Sequence, residues 1–328
     1  MRRHCTTCEE AKQCEKLRIK EFYELSPLHR TEEIVEMENN ENENILAMNQ
    51  FNFLDMKPLK TVQLETKHYV ISASNECVII FEQNDAINGK FVFYDNNGNK
   101  INELRWNMSE NGYVRDVCWC SSKNIFLILT HNSLFTLSSS TLEWNRVKNI
   151  NKEQQQQDLK SLTIHGNNIF IMHRFGEHIE KLSLSSYEII QYWTNKSLFR
   201  QTTVDATNCY DYAGWIRSND VYIAMTIYDK NEQWHLFLFD EYLIPTRRGF
   251  VLNDLSSRGN CLITHLWDNQ WLLMNNSKTL RLIDSTIGKM KKNQRNSYNG
   301  LSINACVLNK EYIVLRSFEP NKIEFYRL

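Results

Sequence analysis

One short element recurs at a nearly fixed step along most of this chain, and that repeat limits the fold more than any other feature. Alternating apolar residues run into Asp or Ser and then a turn at Phe91–Asp95, Leu134–Ser138, Lys181–Ser185, Leu236–Asp240 and Leu280–Asp284. A weaker sixth copy is Ile323–Arg327. Successive closing positions are 43, 47, 55, 44 and 43 residues apart. A second strand-like run precedes each copy: Tyr69–Ala73, Ile125–Thr130, Ile169–His173, Val221–Thr226, Trp271–Met274 and Tyr312–Leu315. Short apolar runs bounded by Asn, Asp, Ser and Lys clusters are the strand pattern, and no helical period survives across them. A unit of this length with three or four strands is the blade of a β-propeller. Such a sheet must cover both faces with its neighbours, so the units close into a ring. Six copies predict an all-β, six-bladed propeller, with a truncated seven-bladed ring as the alternative.

The ends complete this reading. The last unit stops at its third strand, and Ile45–Leu54 supplies one spare strand whose pairing there would close the ring and remove its edges. Residues 45–328 are therefore expected to be the propeller, and residues 1–44 an N-terminal extension. Within the extension, residues 9–25 read as a short α-helix with Ala11, Cys14, Phe22 and Leu25 on one face. Ser26-Pro27 ends it, and the Asn- and Glu-rich run of residues 38–44 is a solvated linker.

The stretch Phe93-Tyr94-Asp95, followed by Gly98 and Lys100, resembles the end of a WD40 blade, where an aromatic-Asp pair closes the third strand before a turn. Phe239-Asp240 and Ile283-Asp284 match it, and Gly288-Lys289 echoes the Gly-Lys that follows. The resemblance spans roughly residues 60–328 and is degenerate. The literal Trp267-Asp268 dipeptide falls between strands, no unit has a Gly-His pair, and Ser replaces Asp in two units. It implies a rigid disc that binds protein partners through its loops.

Charge and composition narrow the function. Lys plus Arg total 38 against 39 for Asp plus Glu, so there is no basic excess to displace counterions from nucleic acid. The longest apolar runs, such as Ile125–Leu129, are about a quarter of a membrane span. No apolar signal segment follows Met1, and the nine Cys include Cys118, Cys261 and Cys306 inside apolar strands. These are core thiols of a reducing compartment, cytoplasmic or nuclear. His4-Cys5-x2-Cys8, followed by Cys14, is the opening half of a zinc site, since a tight turn points two thiolates at one ion. It resembles the start of a B-box finger, a module that precedes propellers in ubiquitin-ligase-like proteins. No second Cys/His pair follows at the usual spacing, so a complete site, a remnant finger and a disordered end are the alternatives. Zinc there is the only cofactor indicated.

No phosphate loop, zinc-protease or nucleophile-elbow motif is present. His173, His178, His235 and His265 lie in or beside strands, where a histidine is by default a satisfied packing residue. Glu177-His178 and Asp211 are the polar groups placed to line a central channel. The tryptophans read as filler between blades. Tyr113, Arg115, Arg200, Tyr210, Arg258 and Tyr298 fall in loops entering the first strand of each blade, and Arg and Tyr dominate binding hot spots. The expectation is a non-catalytic interaction scaffold or adaptor, ubiquitin-ligase-associated in its narrower form. The alternative is a propeller hydrolase or lyase with convergent acids in the channel.

Overall fold

The computed structural model describes residues 57–66, 68–149, 159–174, 177–194, 197–198, 210–252, 261–267, 269–274, 279–285, 289–294 and 301–327. All belong to the second of the chain's two units, Phe53–Leu328. They form six four-stranded antiparallel sheets arranged as blades. Blade 1 holds β2 (Ile71–Ala73), β3 (Val78–Gln83), β4 (Asn88–Tyr94) and β5 (Lys100–Asn107), followed by a one-turn helix, α1 (Met108–Asn111). Blade 2 holds β6 (Val114–Cys120), β7 (Ile125–Thr130), β8 (Ser133–Ser138) and β9 (Trp144–Asn149). Blade 3 holds β10 (Leu159–His165), β11 (Asn168–His173), β12 (His178–Ser183) and β13 (Ile189–Thr194). Blade 4 holds β14 (Tyr210–Ser218), β15 (Ile223–Asp229), β16 (Trp234–Phe239) and β17 (Pro245–Leu252). Blade 5 holds β18 (Leu262–His265), β19 (Gln270–Met274), β20 (Thr279–Asp284) and β21 (Lys289–Gln294). Blade 6 holds β22 (Leu301–Leu308), β23 (Tyr312–Phe318) and β24 (Lys322–Arg327), and takes its outer strand, β1 (Lys60–Gln63), from the other end of the chain.

All six repeat copies are the third strands of their blades, and the blade count is six. The recurring Asp or Ser has a physical job. Asp95 Oδ1 accepts from the backbone N–H of Asn97 and Asn99, and Asp240 Oδ1 from those of Tyr242 and Ile244. Ser138 and Ser183 do the same through their hydroxyls, to Thr141 and to Ser185 and Ser186. Each caps, from its side chain, a turn that backbone bonds such as Gly98 N–H to Asp95 O and Leu142 N–H to Ser138 O also close. In blade 3 the capping residue is Ser183, not Ser185. A slip of two residues preserves the alternation, so periodicity could not detect it. The second strand of blade 1 is likewise β3, while Tyr69–Ala73 leads into the innermost strand.

Closure by an N-terminal strand holds, but the strand is Lys60–Gln63, paired in register with Lys322–Phe325. Residues 45–54, expected to fill that place, lie outside the described residues. An apolar run was sought, yet an outermost strand is solvated along its rim, and of the four residues only Val62 is even half-buried. Gly98 lies against this seam at φ +70, where a Cβ would meet Lys60 Cγ at 2.6 Å and the Phe325 ring at 3.1 Å.

Packing runs between blades. Phe91 and Trp106 of blade 1 interdigitate with Val117, Phe126 and Phe135 of blade 2, and a matching cluster joins Val78 and Val92 to Val314 and Phe325 across the closure. Trp106 meets Phe91 and Phe135 edge-on, so the expected filler role of the tryptophans is seen directly. Cys77, Cys120, Cys261 and Cys306 are buried free thiols. Among the described residues no helix is long and apolar enough to cross a membrane.

Candidate functional site

The six innermost strands surround a central channel, and a polar side chain bridges every neighbouring pair of blades. Tyr69 donates its hydroxyl to Arg115 O at 3.2 Å, linking blades 1 and 2. The Leu162 N–H donates to Asp116 Oδ2 at 2.9 Å, linking blades 2 and 3. Thr163 and Ser218 hydroxyls meet at 2.9 Å between blades 3 and 4. Thr226 and Thr264 donate to Cys261 O and Ala305 O at 2.7 and 2.8 Å, joining blades 4 to 5 and 5 to 6. Asn304 Nδ2 donates to Tyr69 O at 3.0 Å and completes the circle. The strands bulge just before Asp116, Ser161 and Asn304, and a bulge re-aims the next side chain.

One joint is ionic. Arg217 of β14 reaches past β10 to Asp116 of β6 with a bidentate grip of 2.7 and 2.8 Å, and also donates to Leu162 O. Burial holds the Asp116 carboxyl above its ordinary value, with Arg217 and the Leu162 and Val117 N–H groups offsetting it only in part. Burial opposes the Arg217 charge as well, yet Asp116 outweighs it and holds the guanidinium above its ordinary value. The bidentate grip locks three blades together.

The channel opens into a concavity of about 660 Å³ on the face of the hairpins joining first to second strands. Every blade contributes to its wall, including Ser72, Trp119, Gly166, Val221, Trp267 and Lys310. Asp220, Arg217, His265 and Lys310 are the charged or titratable groups there besides two thiols. Burial raises Cys118 to about 12 and Cys306 further, which removes thiolate character. Val221 stands 57% exposed at the rim, and the Trp119 indole N–H has no hydrogen-bond partner. Sequence reading missed this mouth, because its residues sit in turns with no shared motif.

Of the six loop residues singled out from sequence, Tyr113 and Arg115 lie toward the opposite face. Tyr113 is exposed just before β6 and donates its hydroxyl to Ala86 O at 3.1 Å. Arg115 is half-buried in β6. Tyr210 opens β14, but its side chain and all of Arg200, Arg258 and Tyr298 lie outside the described residues, as do His4, Cys5, Cys8 and Cys14. Deeper on that side, burial and Arg174 lower Lys160 to about 8, and it donates to Ala213 O.

The histidines divide. His235 Nε2 meets Asp229 Oδ2 at 2.9 Å across the β15–β16 hairpin, a satisfied pair as expected. His265 packs on Trp271. His173 departs from expectation: it is 1% exposed, and neither ring nitrogen has a hydrogen-bond partner. Across the β11–β12 turn the His178 ring lies 3.5 Å from it, centroid to centroid, with Glu180 Oε1 at 3.4 Å from His173 Nε2 and 3.7 Å from His178 Nε2. His178 thus faces its partner on a hairpin between second and third strands, away from the innermost strands. The Asp211 side chain lies outside the described residues.

Two solved structures share this architecture. A chain of the crystal structure of the mitotic checkpoint complex superposes with a TM-score of 0.53 at 8% identity, over 84% of this chain and 92% of that one. The Neurospora crassa Pan2 WD40 domain superposes with a TM-score of 0.51 at 10% identity, over 84% and 97%. The fold is a WD40-like propeller. No protein-family model matches the sequence, and no curated protein matches it.

Proposed function

We propose that the disc is a non-catalytic scaffold for protein partners and that the concave mouth receives a partner segment. The observation that carries this is the composition of the mouth: all six blades build one wall, with apolar Val221 at the rim and Trp119 and Trp267 half-buried beside polar backbone-like donors. A concavity lined by aromatics with a few polar groups is how proteins hold an inserted chain. The hydrolase or lyase reading needs several acids or histidines converging in the channel. The mouth offers one of each, Asp220 and His265, and the Asp116 carboxylate is committed to Arg217. The loop face with Tyr113 and Arg115 is retained as a second contact surface. The ubiquitin-ligase adaptor role rests only on the Cys5–Cys8 cluster.

A photo-crosslinking amino acid placed at Val221 or at Tyr113 in the full-length chain tests the assignment in cells. Discrete adducts with a protein are expected from Val221. Adducts from Tyr113 alone would move the site to the loop face, and turnover of a small substrate lost with Asp220→Asn would overturn the scaffold reading.

A further inference from the structure

We infer that His173, His178 and Glu180 form a binding site for a divalent transition-metal ion of the zinc type, on the β11–β12 hairpin of blade 3. The donor set is two imidazoles and one carboxylate, which suits zinc with a fourth position left to water. The spacing fits. Two metal–ligand bonds of about 2.0–2.1 Å at the tetrahedral angle hold their ligand atoms about 3.4 Å apart. Glu180 Oε1 lies 3.4 Å from His173 Nε2 and 3.7 Å from His178 Nε2, and all three ligand atoms fall within 4.8 Å of one another. A small rotation of the His178 ring completes the triangle, and His178 has room for it at 15% side-chain exposure.

The second observation is what the three groups lack. Among the described residues, both His173 nitrogens and Glu180 Oε2 are buried without a hydrogen bond. Buried polar atoms are nearly always paired, and an orphan asks for a missing partner. One ion would engage the His173 lone pair and the carboxylate together, and would separate two rings that otherwise face each other at 3.5 Å. Glu177, in the same turn, adds negative charge near His173. Backbone pairing holds the ligands in place, because Met172 and Ile179 are cross-strand partners one step inside the two histidines. The site is independent of the Cys5–Cys8 cluster and of the mouth, which lies on the opposite face.

Cobalt(II) is the probe, because its visible absorption reports ligand type. The full-length chain should bind one equivalent with tetrahedral ligand-field bands, and Cys5→Ser/Cys8→Ser should leave those bands unchanged with no thiolate charge-transfer band. Partners that merely orient metal ligands are worth about 10–100-fold in affinity, so His178→Ala and Glu180→Gln should each weaken cobalt and zinc binding about a hundred-fold or more. Both positions are partly exposed, and circular dichroism checks that each variant folds. Binding that survives His178→Ala, or that vanishes with the cysteine pair, overturns the proposal. So does a folded chain that takes up no cobalt or zinc.

Discussion

The ring is joined in two chemical styles. From blade 2 to blade 4 the innermost strands are tied by a buried ion pair, Asp116 with Arg217, with the Leu162 N–H and carbonyl drawn into the same network. From blade 4 round to blade 6 the ties are neutral, the single hydroxyls of Thr226 and Thr264, and between blades 6 and 1 the Asn304 amide is joined by the buried Arg316 guanidinium, which donates to His68 O. Both styles satisfy polar groups that the channel wall would otherwise bury unpaired. They differ in what happens when a partner is lost. A neutral joint gives up one hydrogen bond, while an ionic joint leaves a charge stranded in a medium that cannot solvate it. The position after the bulge shows the substitution directly, since Asp116 and Asn304 both accept the next residue's N–H, from Val117 and Ala305. An acid there recruits an arginine from two blades away, and an amide reaches only its neighbour.

The largest effect should come from Asp116→Ala. Removing one member of a buried pair costs about 3–5 kcal/mol, and urea unfolding should register the loss. Replacing both members together, as Asp116→Leu with Arg217→Met, should recover most of it. Equal damage from the single and double variants would erase the contrast between the two styles.

A smaller effect should appear with pH at the joint between blades 6 and 1. His68 lies there among Tyr69, Phe81 and Arg316. Burial, then Arg115 and Arg316, lower it from 6.5 to about 4. Between those values the unfolded chain binds a proton that the folded ring refuses. Stability contributed by neutral His68 is therefore complete above pH 6.5 and falls as pH drops toward about 4. His68→Gln should flatten the difference in melting temperature between pH 7 and pH 4.5. An unchanged pH slope would place the sensitivity elsewhere.

The smallest effect should follow Thr264→Val, which removes one neutral bond and leaves the Ala305 carbonyl to its remaining partners, costing about 1 kcal/mol. A loss approaching that of Asp116→Ala would show that neutral joints are as critical as the ionic one.

The belt was not legible in the sequence, although the blades were. Third strands announced themselves because alternation and the turn-capping Asp or Ser are local. Asp116 and Arg217 are 101 residues apart, and nothing local distinguishes them from solvated charges. The closing strand carries no hydrophobic mark, because Lys60–Gln63 pairs through backbone groups that every sequence has. The run His173–Glu180 held a usable signal: histidines flanking a four-residue turn face each other across a hairpin, and Glu180 shares a strand face with His178. What the sequence concealed was that no other group satisfies them. The repeating turns also hid their kinship, because the left-handed position is Gly98 in blade 1 but Leu142, Tyr187 and Leu243 in the next three.

The seam at β1 and β24 also sets the timing of biogenesis. β1 cannot pair until β24 has left the ribosome, and at about 5–20 residues per second the intervening chain takes on the order of ten seconds to a minute to synthesise. Through that interval β1 has no sheet to join and the Val78 side of blade 1 has no cover. A nascent chain of this protein should therefore depend on chaperones until β24 is made, and nonsense truncations before Lys322 should be cleared as unfolded chains rather than persist as five-bladed discs.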